Sequence, residues 1–500
     1  MEIREAKERL DRLEREMFAY KYALGLIEID STTVAPPETQ EGRSLAVGTL
    51  SAQSYRIMTS PELWEAVETL YGDPDAAGPS YFRRSEILRR SIIEQKAVPA
   101  DEYADYTRLV SEAGYVWHKA KNASDFASFR PYLEKLVSSR KHIAELTYPG
   151  KDPFDVCLDS FEEGTSMEYY DRFFDELRQT MVPLIAEVNR AEQPDDDWLH
   201  VSYPIEGQRK ISEILLDAFL LDRNHCALGE TEHPYTGGSY SGDVRLTTHY
   251  YEFLPLASIY SVIHEGGHTN YELHVDPSNN FTSLSGGCSS AVHESQSRFW
   301  ENYVGRSRAF TDWLWPRFRD VFPEQTKGRT ADDFYRCVNK AQPSLVRTEA
   351  DELTYSMHIM IRYELEKKLF HGELEVKDVP EAWNALYKEY LGIDVPDDRR
   401  GCLQDSHWSS ALFGYFPTYS LGTAYSAQIL DTMKKDLPFD SLVAADDLGP
   451  VLSWLTDKLY RFGASIRPAD VVPSICGAPF SAKYYTDYLK AKFGALYGIK

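Results

Sequence analysis

The chain has 500 residues, and its 54 basic and 78 acidic side chains give a formal net charge of −24 at pH 7. An acidic surplus of this size excludes a general nucleic-acid-binding protein and argues against binding to anionic membranes, because both need a basic surface. Hydrophobic residues make up 43% of the chain and aromatic residues 13%, which is enough for a large core and excludes a mainly disordered protein.

The N-terminal segment predicts neither secretion nor a membrane anchor. It is charged from Glu2 onward and lacks the apolar stretch of a signal peptide. No apolar run approaches the ~18 residues that a membrane-spanning helix needs. The six cysteines are widely spaced and include no CxxC pair, which is typical of the reducing cytosol. We therefore expect a cytoplasmic protein with no nucleic-acid or membrane partner.

Helical periodicity dominates the first part of the chain. Apolar side chains recur at alternating steps of three and four over residues 3–24, and the same spacing returns over residues 103–117. Two interpretations fit this pattern: helices packed in a bundle, or a helical wall over a cleft. We expect the helices of about residues 1–140 to form part of a groove wall.

The breaks in the helical pattern are short. Residues 72–80, 193–207 and 395–401 contain the glycine, proline and aspartate residues of loops, and none is long or low in complexity. They indicate connections between helices, not linkers between domains. We therefore predict a single domain over residues 1–500.

One segment departs from helical periodicity. Residues 237–242 are rich in glycine, and the following residues, 243–250, alternate β-branched and polar side chains. This pattern predicts a turn followed by a short strand. We expect the strand at the edge of a sheet, lining a substrate groove, because an edge strand can hydrogen-bond to the main chain of an extended peptide.

The strongest motif is the HExxH sequence at residues 264–268, which follows an apolar segment, 253–263, that predicts a buried helix. Residues four apart share one face of a helix, so the imidazoles of His264 and His268 can bind one zinc ion. Glu265 lies off that face and can act as general base toward a metal-activated water. The two glycines inside the motif weaken a helix, which suits a place where another backbone or a ligand comes close.

Two histidines leave a catalytic zinc ion one protein ligand short. A second helix is predicted to begin near His293 and Glu294, after a loop rich in asparagine, serine and glycine. Glu294 would complete a His-His-Glu set with a position open for water, and His293 is the alternative ligand. We expect one Zn²⁺ per chain, with Co²⁺ or Mn²⁺ as alternatives.

Further blocks accompany the HExxH motif in a fixed order. They are HPY at 233–235, DVRLT at 243–247, HESQS at 293–297, VRTEAD at 346–351 and GCLQDSHW at 401–408. In this order they resemble the HExxH metallocarboxypeptidases of the carboxypeptidase Taq family, typified by thermostable carboxypeptidase 1, in which the first block reads HPF. The resemblance implies a mainly α-helical fold with a deep active-site groove and a small β element before the HExxH helix. It also implies a homodimer that removes C-terminal residues from peptides, and it favours Glu294 as the third ligand.

The resemblance also implies roles for residues outside the metal site. A peptide's terminal carboxylate needs a fixed cation, and a guanidinium fork matches it in two hydrogen bonds. Arg347 is the first candidate for this role and Arg245 the second. His407, Tyr415 and Tyr419 are candidates for stabilising the oxyanion. The remaining residues that the blocks place at the substrate are Asp243, Thr247, His233, Pro234, Tyr235, Gln404 and Asp405.

We therefore predict a metal-dependent carboxypeptidase of broad specificity that acts on peptides with a free C-terminus, with Glu265 as general base. Two other classes remain open. A zinc oligoendopeptidase or a dipeptidase could use the same type of metal site, and the endopeptidase would lack a carboxylate clamp. A non-catalytic helical metal-binding protein would lack the base, and Glu265 argues against it.

Overall fold

The computed structural model describes residues 1–499, apart from the side chain of Ser239. The N-terminal part consists of helices, as the periodicity predicts. They are α1 (Ile3–Thr33), α2 (Gln40–Met58), α3 (Pro61–Tyr71), α4 (Pro74–Ala77), α5 (Pro79–Ala97), α6 (Ala100–Ala123) and α7 (Phe126–Thr147).

Only the first half of the apolar stripe on α1 is buried. Ala6, Leu10 and Leu13 pack against α3 and α5 in a small apolar core. Further along the helix, the rings of Phe18 and Tyr22 contact Tyr240, with ring centroids 5.6 and 6.0 Å apart. Helix α1 therefore joins the N-terminal bundle to the part of the chain that contains the strands.

The middle of the chain contains the sheet. The elements are α8 (Pro153–Phe161), α9 (Met167–Val188), α10 (Ile205–Ala218), β1 (Cys226–Glu230), β2 (Thr236–Tyr240) and β3 (Asp243–Thr248). The described strands form one sheet of order β1-β3-β2, in which β1 runs parallel and β2 antiparallel to β3.

The predicted strand exists, but its predicted place at the sheet edge is wrong. Strand β3 is the central strand and pairs on both sides. The glycine-rich segment, expected as a turn, forms most of the edge strand β2, and only Ser241 and Gly242 turn the chain. Alternation along a strand shows which face is buried, as for Val244 and Leu246, but it does not show which strands lie beside it.

The HExxH motif lies in helix α11 (Pro255–Leu273), which packs against α12 (Ser290–Arg298) and the π-helix Phe299–Gly305 that follows it. Pro255 starts α11, so Phe253 stays outside the helix and is exposed. A Cβ atom on Gly267 would lie 2.7 Å from the backbone of Gln296, whereas one on Gly266 would make an ordinary contact at 3.4 Å. The expected close approach of a second backbone therefore occurs at Gly267.

The C-terminal part is again helical. Its helices are α13 (Arg308–Val321), α14 (Ala331–Val338), α15 (Tyr355–His371), α16 (Val379–Leu391), α17 (Pro417–Asp436), α18 (Phe439–Ala444), α19 (Gly449–Lys458), α20 (Pro468–Cys476) and α21 (Lys483–Tyr497). Short 3₁₀ turns occur at Pro37–Thr39, Asp197–His200, Pro277–Asn279, Arg347–Glu349, Val376–Asp378 and Tyr460–Ser465. Among the described helices, none is long and apolar enough to cross a membrane. The predicted fold class, mainly α with a small β element before the HExxH helix, is confirmed.

Candidate metal centre and active site

The structure brings together the three residues predicted to bind a metal ion. His264 and His268 lie one turn apart on α11, and their Nε2 atoms are 3.7 and 3.5 Å from Oε2 of Glu294 on α12. One ligand atom from each residue lies within 4.8 Å of the other two. Ligands about 2.0–2.1 Å from a tetrahedral zinc ion lie roughly 3.4 Å apart. The two distances from the histidines to Glu294 are therefore already close to the spacing that one ion requires.

The second nitrogen of each histidine is held by a neighbour. Nδ1 of His264 lies 2.9 Å from Oε2 of Glu301, and Nδ1 of His268 lies 2.6 Å from Nδ1 of His293. Both rings therefore turn Nε2 toward the shared centre. Burial lowers the pKa of His268 to about 4, so this imidazole is neutral near pH 7, as a metal ligand must be.

Glu294 is buried yet ionised. Burial opposes the charge, but Arg298 and His264 outweigh it and hold the pKa of Glu294 well below its usual range. Nε of Arg298 donates to Oε1 of Glu294 at 2.8 Å, which leaves Oε2 to face the histidines. Two imidazole nitrogens and one carboxylate oxygen suit Zn²⁺ or a similar divalent ion. The residues present therefore fit the metal that the motif implies.

Glu265 lies beside this set but is not part of it. The hydroxyl of Thr236, on strand β2, donates to Oε2 of Glu265 at 2.6 Å and fixes the carboxylate. Burial raises the pKa of Glu265. A raised pKa suits a group that must accept a proton and later return it near neutral pH.

Arg347 is held in a buried polar cluster with only 8% of its surface exposed. Its Nε donates to Oδ1 of Asp405 at 2.9 Å, and its Nη1 donates to the hydroxyl of Tyr355 at 3.0 Å. Its backbone N–H donates to Oε1 of Gln404, and Asp405 also accepts from Nε of Arg362 at 2.7 Å. Gln404 and Asp405 thus support Arg347. Nη2 of Arg347 has no hydrogen-bond partner among residues 1–499.

The three oxyanion candidates lie together beside Arg347. Nε2 of His407 is 3.3 Å from the hydroxyl of Tyr419, and the rings of Tyr415 and Tyr419 are 5.2 Å apart. The guanidinium carbon of Arg347 lies 5.3 Å from the ring centroid of Tyr419. Burial, together with Arg347, lowers the pKa of His407 to about 3, so this ring is uncharged near pH 7.

One aromatic ring connects this cluster to the metal centre. The Tyr355 hydroxyl accepts from Arg347 at 3.0 Å. The guanidinium of Arg298, which binds Glu294, lies over the same ring at 4.4 Å from its centroid. The predicted carboxylate clamp and the predicted metal ligands therefore belong to one connected site.

The DxRxT residues Asp243 and Arg245 lie on the sheet. Their side chains form a two-point ion pair, and the hydroxyl of Tyr22 on α1 donates to Oδ2 of Asp243 at 2.8 Å. The Asp243 carboxylate thus neutralises the Arg245 guanidinium. In the sheet, Arg245 pairs with Gly237 of β2, the residue after Thr236, whose hydroxyl binds Glu265.

Thr247 and the HPY block support each other. Thr247 is fully buried, and its hydroxyl accepts from the backbone N–H of Tyr235 at 2.8 Å. It therefore has no surface to offer a substrate, which corrects its predicted role. The Tyr235 hydroxyl lies 2.8 Å from Oγ1 of Thr32 on α1. His233 is exposed and Pro234 half-buried on the same loop.

Several residues of the site escaped the sequence analysis. Arg298 lies four residues after Glu294, and Glu301 lies three residues after Arg298. This spacing puts side chains on one face of a helix and could have revealed both residues. Thr236 directly follows the HPY block but has no spacing signal toward Glu265. Its role depends on a strand packing against a helix, which the sequence does not show.

Comparisons with known proteins agree with this arrangement. The profile of the carboxypeptidase Taq (M32) metallopeptidase family matches residues 9–493. Carboxypeptidase 1 of Bacillus subtilis is 38% identical over 495 residues, covering 98% of both chains. Thermostable carboxypeptidase 1 of Thermus thermophilus is 35% identical over 494 residues, covering 96% of this chain and 97% of the relative.

Solved structures give the same result. The M32 carboxypeptidase from Deinococcus radiodurans is 33% identical and superposes with a TM-score of 0.95, covering 99% of both chains. The carboxypeptidase of Pyrococcus furiosus is 32% identical with a TM-score of 0.94, covering 98% of this chain and 99% of that one. These matches favour a carboxypeptidase over the endopeptidase, dipeptidase and non-catalytic alternatives. The chain belongs to the carboxypeptidase Taq (M32) metallopeptidase family and is a metallocarboxypeptidase.

Proposed function

We propose that His264, His268 and Glu294 bind one zinc-type ion and that Glu265 is the general base for removing single residues from the C-terminus of peptides. The observation that carries the proposal is the position of Glu265 beside the three donors but outside their set. A divalent metal bound there would polarise the scissile carbonyl and acidify a water molecule.

Glu265 supplies the proton transfers. Because Thr236 occupies Oε2, the Oε1 atom is the one that accepts a proton from water. The same atom then delivers that proton to the nitrogen of the leaving residue, so one carboxylate serves as base and acid in turn. The buried setting that raises the pKa of Glu265 favours both transfers near neutral pH.

Arg347 is the residue proposed to bind the free C-terminal carboxylate of the peptide. Arg347 and Arg362 share Asp405, so this cluster carries one net positive charge, whereas Arg245 and Asp243 cancel each other. The surplus charge favours Arg347 over Arg245 as the partner of a carboxylate. Arg245 remains the second candidate.

Tyr415 is the proposed donor to the oxyanion. Burial, together with the charge of Glu294, raises the pKa of Tyr415. Helix α17, which begins two residues after Tyr415, packs against Glu294, since a Cβ atom on Gly422 would lie 3.0 Å from Cβ of Glu294. The raised pKa keeps the phenol protonated and able to donate. The rings of Tyr419 and His407 lie 5.2 and 5.6 Å from the Tyr415 ring, and the two side chains form a hydrogen bond with each other.

Among the described strands, β2 lies at the edge of the sheet next to Glu265, and no further strand pairs with its outer side. Pairing a peptide with this edge through main-chain groups would be tolerant of side-chain sequence and would support broad specificity.

The six cysteines are unpaired, which supports a reducing, cytoplasmic environment. The proposed homodimer rests on the family resemblance, and light scattering during gel filtration measures the mass that tests it.

The test separates metal binding from proton transfer. Glu265→Gln should keep one metal ion per chain and lose most of its turnover, because the amide cannot accept the proton. His264→Ala should lose both metal and turnover. The proposal fails if Glu265→Gln, free of contaminating peptidase, hydrolyses peptides at the wild-type rate.

A further inference from the structure

The third histidine of the site, His293, contacts both a predicted ligand and a carboxylate. Its Nδ1 lies 2.6 Å from Nδ1 of His268, and its Nε2 lies 2.7 Å from Oε1 of Glu272. Both ring nitrogens of His293 are therefore engaged away from the shared donor centre. This geometry favours Glu294 over His293 as the third metal ligand.

The contact between the two rings fixes where the protons lie. Two imidazole nitrogens can form a hydrogen bond only when one carries hydrogen and the other offers its lone pair. A ligand role for Nε2 of His268 requires its hydrogen on Nδ1, which then donates to Nδ1 of His293. The hydrogen of His293 must lie on Nε2, where the Glu272 carboxylate accepts it. This is the one assignment that satisfies all three groups and leaves His268 able to bind a metal.

We propose that Glu272 and His293 are positioning residues that hold His268 in its metal-binding tautomer and orientation through this two-step relay. The inference rests on the proposed metal site and deepens it. Partners behind metal-bound histidines fix the ring and raise its basicity as a ligand. Here the Glu272 carboxylate acts on His268 indirectly, through the imidazole of His293.

The surroundings leave room for the relay and hold it in place. The backbone N–H of Gly287 donates to Oε1 of Glu272 at 3.2 Å. A Cβ atom on Gly287 would lie 2.6 Å from Cδ2 of His293, and one on Gly238 would lie 3.2 Å from the Glu272 side chain. Gly238 belongs to β2, so this strand packs closely against the Glu272 side chain.

The other predicted histidine ligand is held more directly. Nδ1 of His264 contacts Glu301 without an intermediate ring, and Glu301 also accepts from Arg298 and Arg306. The arginines balance the charge of Glu301, whereas His293 is the side chain that occupies Oε1 of Glu272. We therefore expect zinc binding through His268 to depend specifically on His293 and Glu272.

The test is zinc affinity, measured by competition with a chromogenic chelator. His293→Ala and Glu272→Ala should weaken zinc binding by about 10–100-fold. His293→Asn places an amide oxygen near the former Nδ1 position and should recover part of the affinity. Glu272→Gln keeps the acceptor but not the charge and should show a smaller loss. His274→Ala, at the residue directly after α11 and outside the site, is the matched control and should bind zinc like wild type.

A purely structural role would give a different result. Loss of the relay should lower the Tm of the zinc-loaded protein while leaving the Tm of the metal-free protein close to that of metal-free wild type. If His293→Ala or Glu272→Ala binds zinc as tightly as wild type, or if the zinc-loaded and metal-free proteins lose stability equally, the relay is wrong. If wild type itself binds no stoichiometric zinc, the proposed metal site fails instead, so the two failures are distinguishable.

Discussion

Replacing Arg347 by alanine removes the proposed carboxylate clamp without leaving a buried charge alone. Asp405 keeps its hydrogen bond from Nε of Arg362 at 2.7 Å, so the variant should fold. Within residues 1–499, Nη2 of wild-type Arg347 has no hydrogen-bond partner and Nη1 has one, which leaves hydrogens of both for a substrate carboxylate. Each charge-assisted hydrogen bond contributes about 1.5–3 kcal/mol. Loss of a two-point contact should therefore lower kcat/KM by ~10²-fold or more.

The assay compares wild type and Arg347→Ala on one N-blocked peptide with either a free or an amidated C-terminus. The free acid should lose most of its kcat/KM, whereas the amide, already a poor substrate, should change little. Arg347→Lys keeps the charge but not the fork, so it should recover only part of the activity. Equal losses on acid and amide would show that Arg347 is structural, and the carboxylate reader would have to be sought at Arg245.

Three further predictions follow from particular contacts. Glu294→Ala should lose metal and activity in parallel, and full metal content by elemental analysis would remove Glu294 from the ligand set. Burial raises the pKa of Glu366 to about 8. The neutral form therefore contributes its full stability below about pH 4.3, the pKa in the unfolded chain. This stability is lost as the pH rises toward 8, at up to about 1.4 kcal/mol per pH unit. Glu366→Gln should therefore show a smaller fall in Tm between pH 5 and 8 than wild type, and parallel Tm curves would contradict the assignment. Gly267→Ala should lower the Tm by several degrees, because its Cβ would lie 2.7 Å from the backbone of α12; an unchanged Tm would show that the two helices can move apart at no cost.

Local periodicity was enough to predict the helices and the metal-binding motif. The i,i+4 spacing of His264 and His268 puts two imidazoles on one helix face wherever the helix lies, so the motif is informative without a tertiary structure. The two glycines between them predicted a close approach, which occurs at Gly267. Each of these inferences depends only on residues near one another in the chain.

Inferences that depend on distant partners were less complete. The position of β3 inside the sheet depends on pairing with β1, which comes earlier in the chain. Thr247 belongs to a sequence block that suggested substrate contact, but its hydroxyl holds the backbone of Tyr235. The contacts between Thr236 and Glu265, and between His268 and His293, join segments whose proximity no spacing rule expresses.

With a metal ion bound, this chain should remove residues one at a time from the free C-terminus of a peptide. The most direct measurement is mass spectrometry of an N-blocked peptide incubated with zinc-loaded protein. The account predicts a ladder of products that have lost successive single C-terminal residues, abolished by a chelator and restored by zinc. Internal fragments, or equal cleavage of the peptide with an amidated C-terminus, would contradict it.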